Sequence, residues 1–156
     1  MNYRRETPRI LDAEHRAALA LYGQLEQALA ARDRAAIDRL AAPLARHLED
    51  EVVRHFRFEE SELFPRLAEA GEGDIAELLA EEHAAVREVA AVLLPLALAG
   101  PGTLDAAHYE TFRRHVLELV ERQVAHIQKE SMALLPMLDD LLDDDADRAL
   151  SFAASG

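Results

Sequence analysis

The chain contains no cysteine. That absence excludes disulfides, thiolate metal sites, iron–sulfur ligation and thiol redox chemistry, so any metal here must be held by nitrogen and oxygen. Aromatic residues make up only 5% of the chain, and runs of β-branched residues are absent, which leaves little from which to build strands. No apolar run approaches the roughly 20 residues that span a bilayer, and the opening MNYRRETPRI has no apolar signal segment. Basic residues are scarce beside acidic ones, 17 against 30, for a formal net charge of −13. Such a balance argues against nucleic acid or an anionic membrane as partner. A cytoplasmic chain is the expectation.

What is present reads as helix. Ala, Leu, Glu and Arg dominate 156 residues that are 50% hydrophobic and 30% charged, enough for one domain over residues 1–156 with a core from about 8 to 142. The acidic run LDDLLDDDADR suggests a solvated tail over 143–156. Breaks at Arg32–Asp33, AGEGD and AGPG leave four long segments. The first is expected to start with Thr7 as cap and Pro8 in the first turn. The second should run from about 34 to 68. The third should begin with Asp74 as cap and Glu77 three residues on. The fourth should run from about 104 to 142. Pro43 and Pro95 are expected to kink or interrupt their helices. Short loops between neighbours predict an all-α fold, an antiparallel up-down-up-down four-helix bundle.

Each segment has one apolar stripe at helical spacing, and each stripe is broken by a histidine. In the first it is Leu11, His15, Ala18, Tyr22, Leu25. In the second it is Ile37, Leu40, Leu44, Leu48, Val52, His55, Glu59, Leu63. The third has Ile75, Leu79, His83, Val86, Ala90, Leu93. The fourth has Phe112, Val116, Leu119, Gln123, His126, Glu130, Leu134, Met137. The chain also repeats itself. HFRFEESELFPRL at 55–67 matches HIQKESMALLPML at 126–138 in His, Glu, Leu, Pro and Leu, and AEHRA at 13–17 resembles EEHAA at 81–85. Two copies of one helical hairpin are therefore expected. At about 1.5 Å rise per residue, His15 and His55 lie about 27 and 33 Å from the turn between them, agreement within roughly one helical turn.

Two buried carboxylates beside four histidines need compensating positive charge, and no Lys or Arg occupies the core slots nearby. A metal supplies it. Residues four apart point from one face of a helix, so His55 with Glu59, and His126 with Glu130, can each reach one ion. Imidazole and carboxylate suit iron, zinc or manganese. Six ligands (His15, His55, Glu59, His83, His126 and Glu130) exceed a four-coordinate zinc site and suit two ions, with two histidines each and both glutamates bridging. An oxo or hydroxo bridge would offset the remaining charge. With eighteen glutamates in the chain, a His-x-x-x-Glu arises by chance, and His47 with Glu51 is another. His47 lies about 80° around the helix from His55 and is expected to form a surface pair, and His108 and His115 to lie at the surface or behind the ligands.

A lone His in the first helix, then HFRFEESELFP, EEHAA and HIQKESMALLP, together resemble the hemerythrin-like HHE cation-binding domain over about residues 8–140. The resemblance implies a non-haem di-iron centre in an antiparallel bundle, with the same six ligands, and leaves Glu60 or Glu62 as alternatives for a carboxylate ligand. Oxygen-carrying hemerythrins have a second histidine where this chain has Arg87, and an aspartate where it has Ser131. The pattern is closer to the iron-centre repair and iron-sensing branch. The function implied is binding of oxygen, nitric oxide or peroxide for sensing or stress response. Turnover of peroxide or nitric oxide, with Tyr22 and Gln123 near the ligands, is the enzyme alternative, and iron storage or delivery a third. Monomer and homodimer both fit such a surface.

Overall fold

The computed structural model describes residues 2–155, which form five helices and no strand. Helix α1 spans Glu6–Ala30, α2 residues 34–69, α3 Gly73–Ala99, α4 residues 106–141 and α5 Asp144–Ser155. The four long helices pack in a ring, α1 on α2 and α4, and α3 on α2 and α4, while α5 lies against α1. None of the described helices is long and apolar enough to cross a membrane.

Caps explain most of the boundaries. Asp33 accepts a hydrogen bond from the Ala36 amide at the start of α2, and Asp105 accepts one from the His108 amide at the start of α4, each leaving one fewer unsatisfied first-turn donor. Gly71 and Gly100, with φ of 93° and 87°, follow α2 and α3 in a backbone conformation that disfavours residues bearing Cβ. Two expected caps are wrong. Thr7 lies inside α1, and Asp74 lies inside α3, whose cap position is Glu72 with no side-chain hydrogen bond. The free amides of α1 are instead satisfied from the far end of the chain. Asp147 of α5 accepts from Glu6 and Thr7 at 2.9 and 2.8 Å, and Asp139 accepts from the Arg4 and Arg5 amides just upstream. The acidic segment is not a loose tail. It folds as α5, buries Leu150 and Ala154, and presents Asp147 to the positive end of α1, while Asp143, Asp144 and Asp145 stay exposed. Gly156 lies outside the described residues.

Pro43 and Pro95 sit within α2 and α3 without interrupting them. Pro65 and Pro136 have the larger effect. A proline ring has no N–H and clashes with the carbonyl four residues back. Immediately upstream of each, the helix widens to a π-turn: the Phe64 amide bonds to the Glu59 carbonyl, and the Leu135 amide to the Glu130 carbonyl. The repeated Glu-to-Pro spacing thus places the same backbone irregularity at both glutamates.

The core consists of two apolar clusters. One contains Tyr22, Leu25, Leu44, Phe56, Val86, Leu93, Phe112 and Leu119; the other contains Leu11, Leu63, Leu67, Leu79, Leu134 and Leu138. Burying each such leucine contributes about 1.5–3 kcal/mol. On every long helix the expected stripe faces inward, with Leu40, Val52, Ile75 and Met137 half-buried at its edges. Between the clusters lies a layer of polar side chains.

Candidate metal centre

That layer holds all six expected residues. His15 retains 4% of its surface, His55 and His126 2%, Glu59 and Glu130 1%, and His83 none. Ligand-type atoms of His15, His55, Glu59 and Glu130 lie within 4.8 Å of one another, and so do those of Glu59, His83, His126 and Glu130. Each histidine belongs to one quartet, and both glutamates belong to both. Each quartet could hold a cation, and the shared glutamates could bridge the two.

The spacing inside the layer is close. His15 Nε2 is 3.0 Å from Glu130 Oε1, and His126 Nε2 is 3.4 Å from Glu130 Oε2. His83 and His55 approach Glu59 Oε1 through their Nε2 atoms at 3.2 and 3.4 Å. Even so, neither Glu59 oxygen, nor Glu130 Oε2, nor His55 Nε2 has a hydrogen bond of proper geometry. Buried polar atoms left in this state cost about 1–3 kcal/mol each.

Outer carboxylates fix the rings. His83 Nδ1 lies 3.0 Å from Glu60, whose two oxygens also take Arg87 at 2.8 Å each. His126 Nδ1 is 2.9 Å from Glu82, which also accepts from Lys129 at 2.7 Å. His55 Nδ1 is in contact with Glu14. A carboxylate at Nδ1 holds the proton there and turns the Nε2 lone pair inward. His83 and His126 consequently aim Nε2 at Nε2 across 3.1 Å, where two lone pairs repel unless a cation or a proton lies between them.

The titration behaviour of the cation-free chain follows. Burial, and then the charge of His126, hold His83 down to about 4. Burial also opposes protonation of His126, but Glu130 and Glu82 outweigh it and push its value up. His55 is raised well above its ordinary value, with Glu59 and Glu14 overcoming burial. Burial and the Glu130 charge hold the Glu59 carboxyl well above the usual range. Glu130, although burial equally opposes its ionisation, is held well below it by the neighbouring Glu59, His126 and His15 side chains.

Several contributors were not anticipated from the sequence. Glu60 does not turn into the layer but braces His83, and Glu62 is exposed. Glu14 and Glu82 each precede a histidine, yet each fastens the histidine of the other helix in its hairpin, His55 and His126. The AEH and EEH triplets carried that signal, but the cross-helix pairing needs the fold. His47 and Glu51 are not a surface pair. His47 Nε2 meets the Tyr22 hydroxyl at 2.6 Å, and Glu51 is buried, 4.0 Å from His55 Nε2. Gln123 donates to the Tyr22 hydroxyl at 2.9 Å. His108 is exposed beside Asp105, and His115 is half-buried with its Nδ1 on the Thr111 carbonyl.

Residues 7–138 match the family model described as the hemerythrin HHE cation binding domain. No curated protein and no solved structure matches the chain significantly.

Proposed function

The chain belongs to the hemerythrin HHE cation-binding family, and we propose that its core holds two iron ions whose remaining positions take a small ligand (oxygen, nitric oxide or peroxide) for sensing or stress response. In this reading the four long helices run antiparallel, as the short links at 31–33 and 70–72 favour. His15 and His55 would hold one ion and His83 and His126 the other, with Glu59 and Glu130 available to both. The carrying observation is the pair of inward-facing nitrogens, His83 Nε2 and His126 Nε2, 3.1 Å apart with their Nδ1 atoms committed to Glu60 and Glu82. A proton between the two nitrogens satisfies them in the cation-free chain, and a Lewis acid can take its place.

Bound iron would supply Lewis acidity and electron transfer that the side chains lack. The chain supplies position and exclusion. Glu14, Glu60 and Glu82 set three ring orientations and raise the basicity of the inward nitrogens. The flanking apolar clusters keep bulk water from the layer, so its electrostatics act at low dielectric. Two histidines and two shared carboxylates fill fewer than the six positions an octahedral ion offers, a nitrogen–carboxylate set with vacancies that suits non-haem iron. Zinc or manganese are possible substitutes.

Metal analysis of protein purified anaerobically, without a histidine tag, tests the reading. It expects about two irons per chain, and a new optical or EPR-detected adduct when nitric oxide or oxygen is added to the reduced protein. Retention of no metal by the folded chain would overturn it. One observation favours a redox enzyme as second reading: Tyr22, buried between Gln123 and the half-buried His47, joins the core to the surface through hydrogen bonds. Steady peroxide or nitric oxide consumption well above that of free iron would select it.

A further inference from the structure

The two halves of the chain repeat their inner residues faithfully but not their outer ones. His83 corresponds to His15, His126 to His55, Glu130 to Glu59 and Glu82 to Glu14. The next residue breaks the match: Glu60, after Glu59, fastens His83 and is itself clamped by Arg87. Its counterpart after Glu130 is Ser131, and the counterpart of Arg87 is Leu19. The consequence is visible in the layer. His15 Nδ1 is buried without a hydrogen-bond partner among the described residues, while the Nδ1 atoms of the other three histidines each meet a carboxylate.

Resting on the metal reading above, we propose that the two metal positions are inequivalent, and that the one between His15 and His55 binds its ion more weakly and exchanges it first, because Ser131 leaves the His15 ring unfastened. An outer carboxylate selects the tautomer that directs Nε2 inward and raises its basicity. His83 has that support and His15 lacks it, so His15 must be ordered by the ion itself. Loss of such a partner typically lowers metal affinity about 10–100-fold, which sets the expected gap between the positions. Iron would enter the His83–His126 position first and leave it last, making occupancy of the other position the variable that follows available iron.

Titration of the metal-free protein with cobalt(II), read by its d–d absorption, tests this without reference to activity. The wild type should load in two steps separated by about 10–100-fold. The double variant S131E/L19R installs the counterparts of Glu60 and Arg87 and should bring the steps together by tightening the second. Glu60→Gln should bring them together by weakening the first, and His15→Ala should lose the weak step while keeping the tight one. Helix content by circular dichroism shows that each variant folds. Two equal steps in the wild type, or a gap that both Glu60→Gln and S131E/L19R leave unchanged, would overturn the inference while leaving the two-metal reading standing. Binding of no cobalt would overturn both.

Discussion

Replacing Glu59 with leucine should move stability in opposite directions with and without metal. In the metal-free chain Glu59 is 1% exposed, and neither carboxylate oxygen has a proper hydrogen bond. Its carboxyl is held well above the ordinary range by burial and by the charge of Glu130, so the chain already spends folding energy keeping it inside. Removing an unsatisfied buried polar group recovers about 1–3 kcal/mol, and leucine extends the apolar cluster that includes Leu63. For a chain of this length 1 kcal/mol shifts Tm by about 2–4 °C, so Glu59→Leu should raise the Tm of chelated protein by roughly 2–12 °C. With metal present the order should reverse. An ion at a thousand times its dissociation constant stabilises by about 4 kcal/mol, and the variant loses a ligand common to both quartets. Thermal denaturation followed by circular dichroism, with EDTA and then with anaerobic iron(II), gives both values. A lower Tm in EDTA would show that Glu59 is satisfied by the protein alone, and the argument from unsatisfied groups would fail.

Other consequences are separable from metal content. Asp147→Ala should cost about 0.5–2 kcal/mol, the usual worth of a helix cap, measured as a urea midpoint. Burial opposes ionisation of Asp147, but hydrogen bonds from Thr7 and Glu6 outweigh it and hold its value below the ordinary carboxylate range. Its contribution is therefore complete above about pH 4 and is lost as pH falls through its lowered value, and the variant should lose that part of the acid dependence. Tyr22→Phe should leave metal stoichiometry unchanged but cost about 1–3 kcal/mol, because Gln123 loses its acceptor; a fall in metal content would place Tyr22 within the site's working set. Pro65→Ala with Pro136→Ala should let the π-turns after Glu59 and Glu130 relax to α-helix and rotate both carboxylates, lowering bound metal per chain by elemental analysis. Full retention would show that the turns do not depend on proline.

Periodicity made the inner layer legible because a histidine in a leucine's slot is a local signal. His15, His55, His83 and His126 each interrupt a 3–4 stripe on their own helix, and the thirteen-residue repeat singles out Glu59 and Glu130 from eighteen glutamates. Partnerships between helices leave no such mark. Thr7 was the natural cap by local rules, yet the donors of α1 are met by Asp147, about 140 residues away. Residues 143–156 read as a solvated tail for the same reason: most of their carboxylates are exposed, and the docking of α5 through Asp147 on the amino end of α1 is visible only in the fold. His47 and Glu51 looked like a surface pair because the π-turn over Glu49–His55 alters the facing that ideal helical geometry assigns.

The polar layer also explains why the apolar core divides in two. A stripe of leucine in place of the four histidines and two glutamates would fuse the clusters around Phe56 and Leu63 into one and, by the energetics of Glu59, give a more stable metal-free protein. Buried polar groups of this kind are costly against a well-packed apolar replacement and are retained most often at functional sites. Six such positions at one level, with three carboxylates behind them serving ring orientation, are difficult to attribute to folding alone. Folding energy is withheld from the metal-free state, and the difference is available to a cation when it binds.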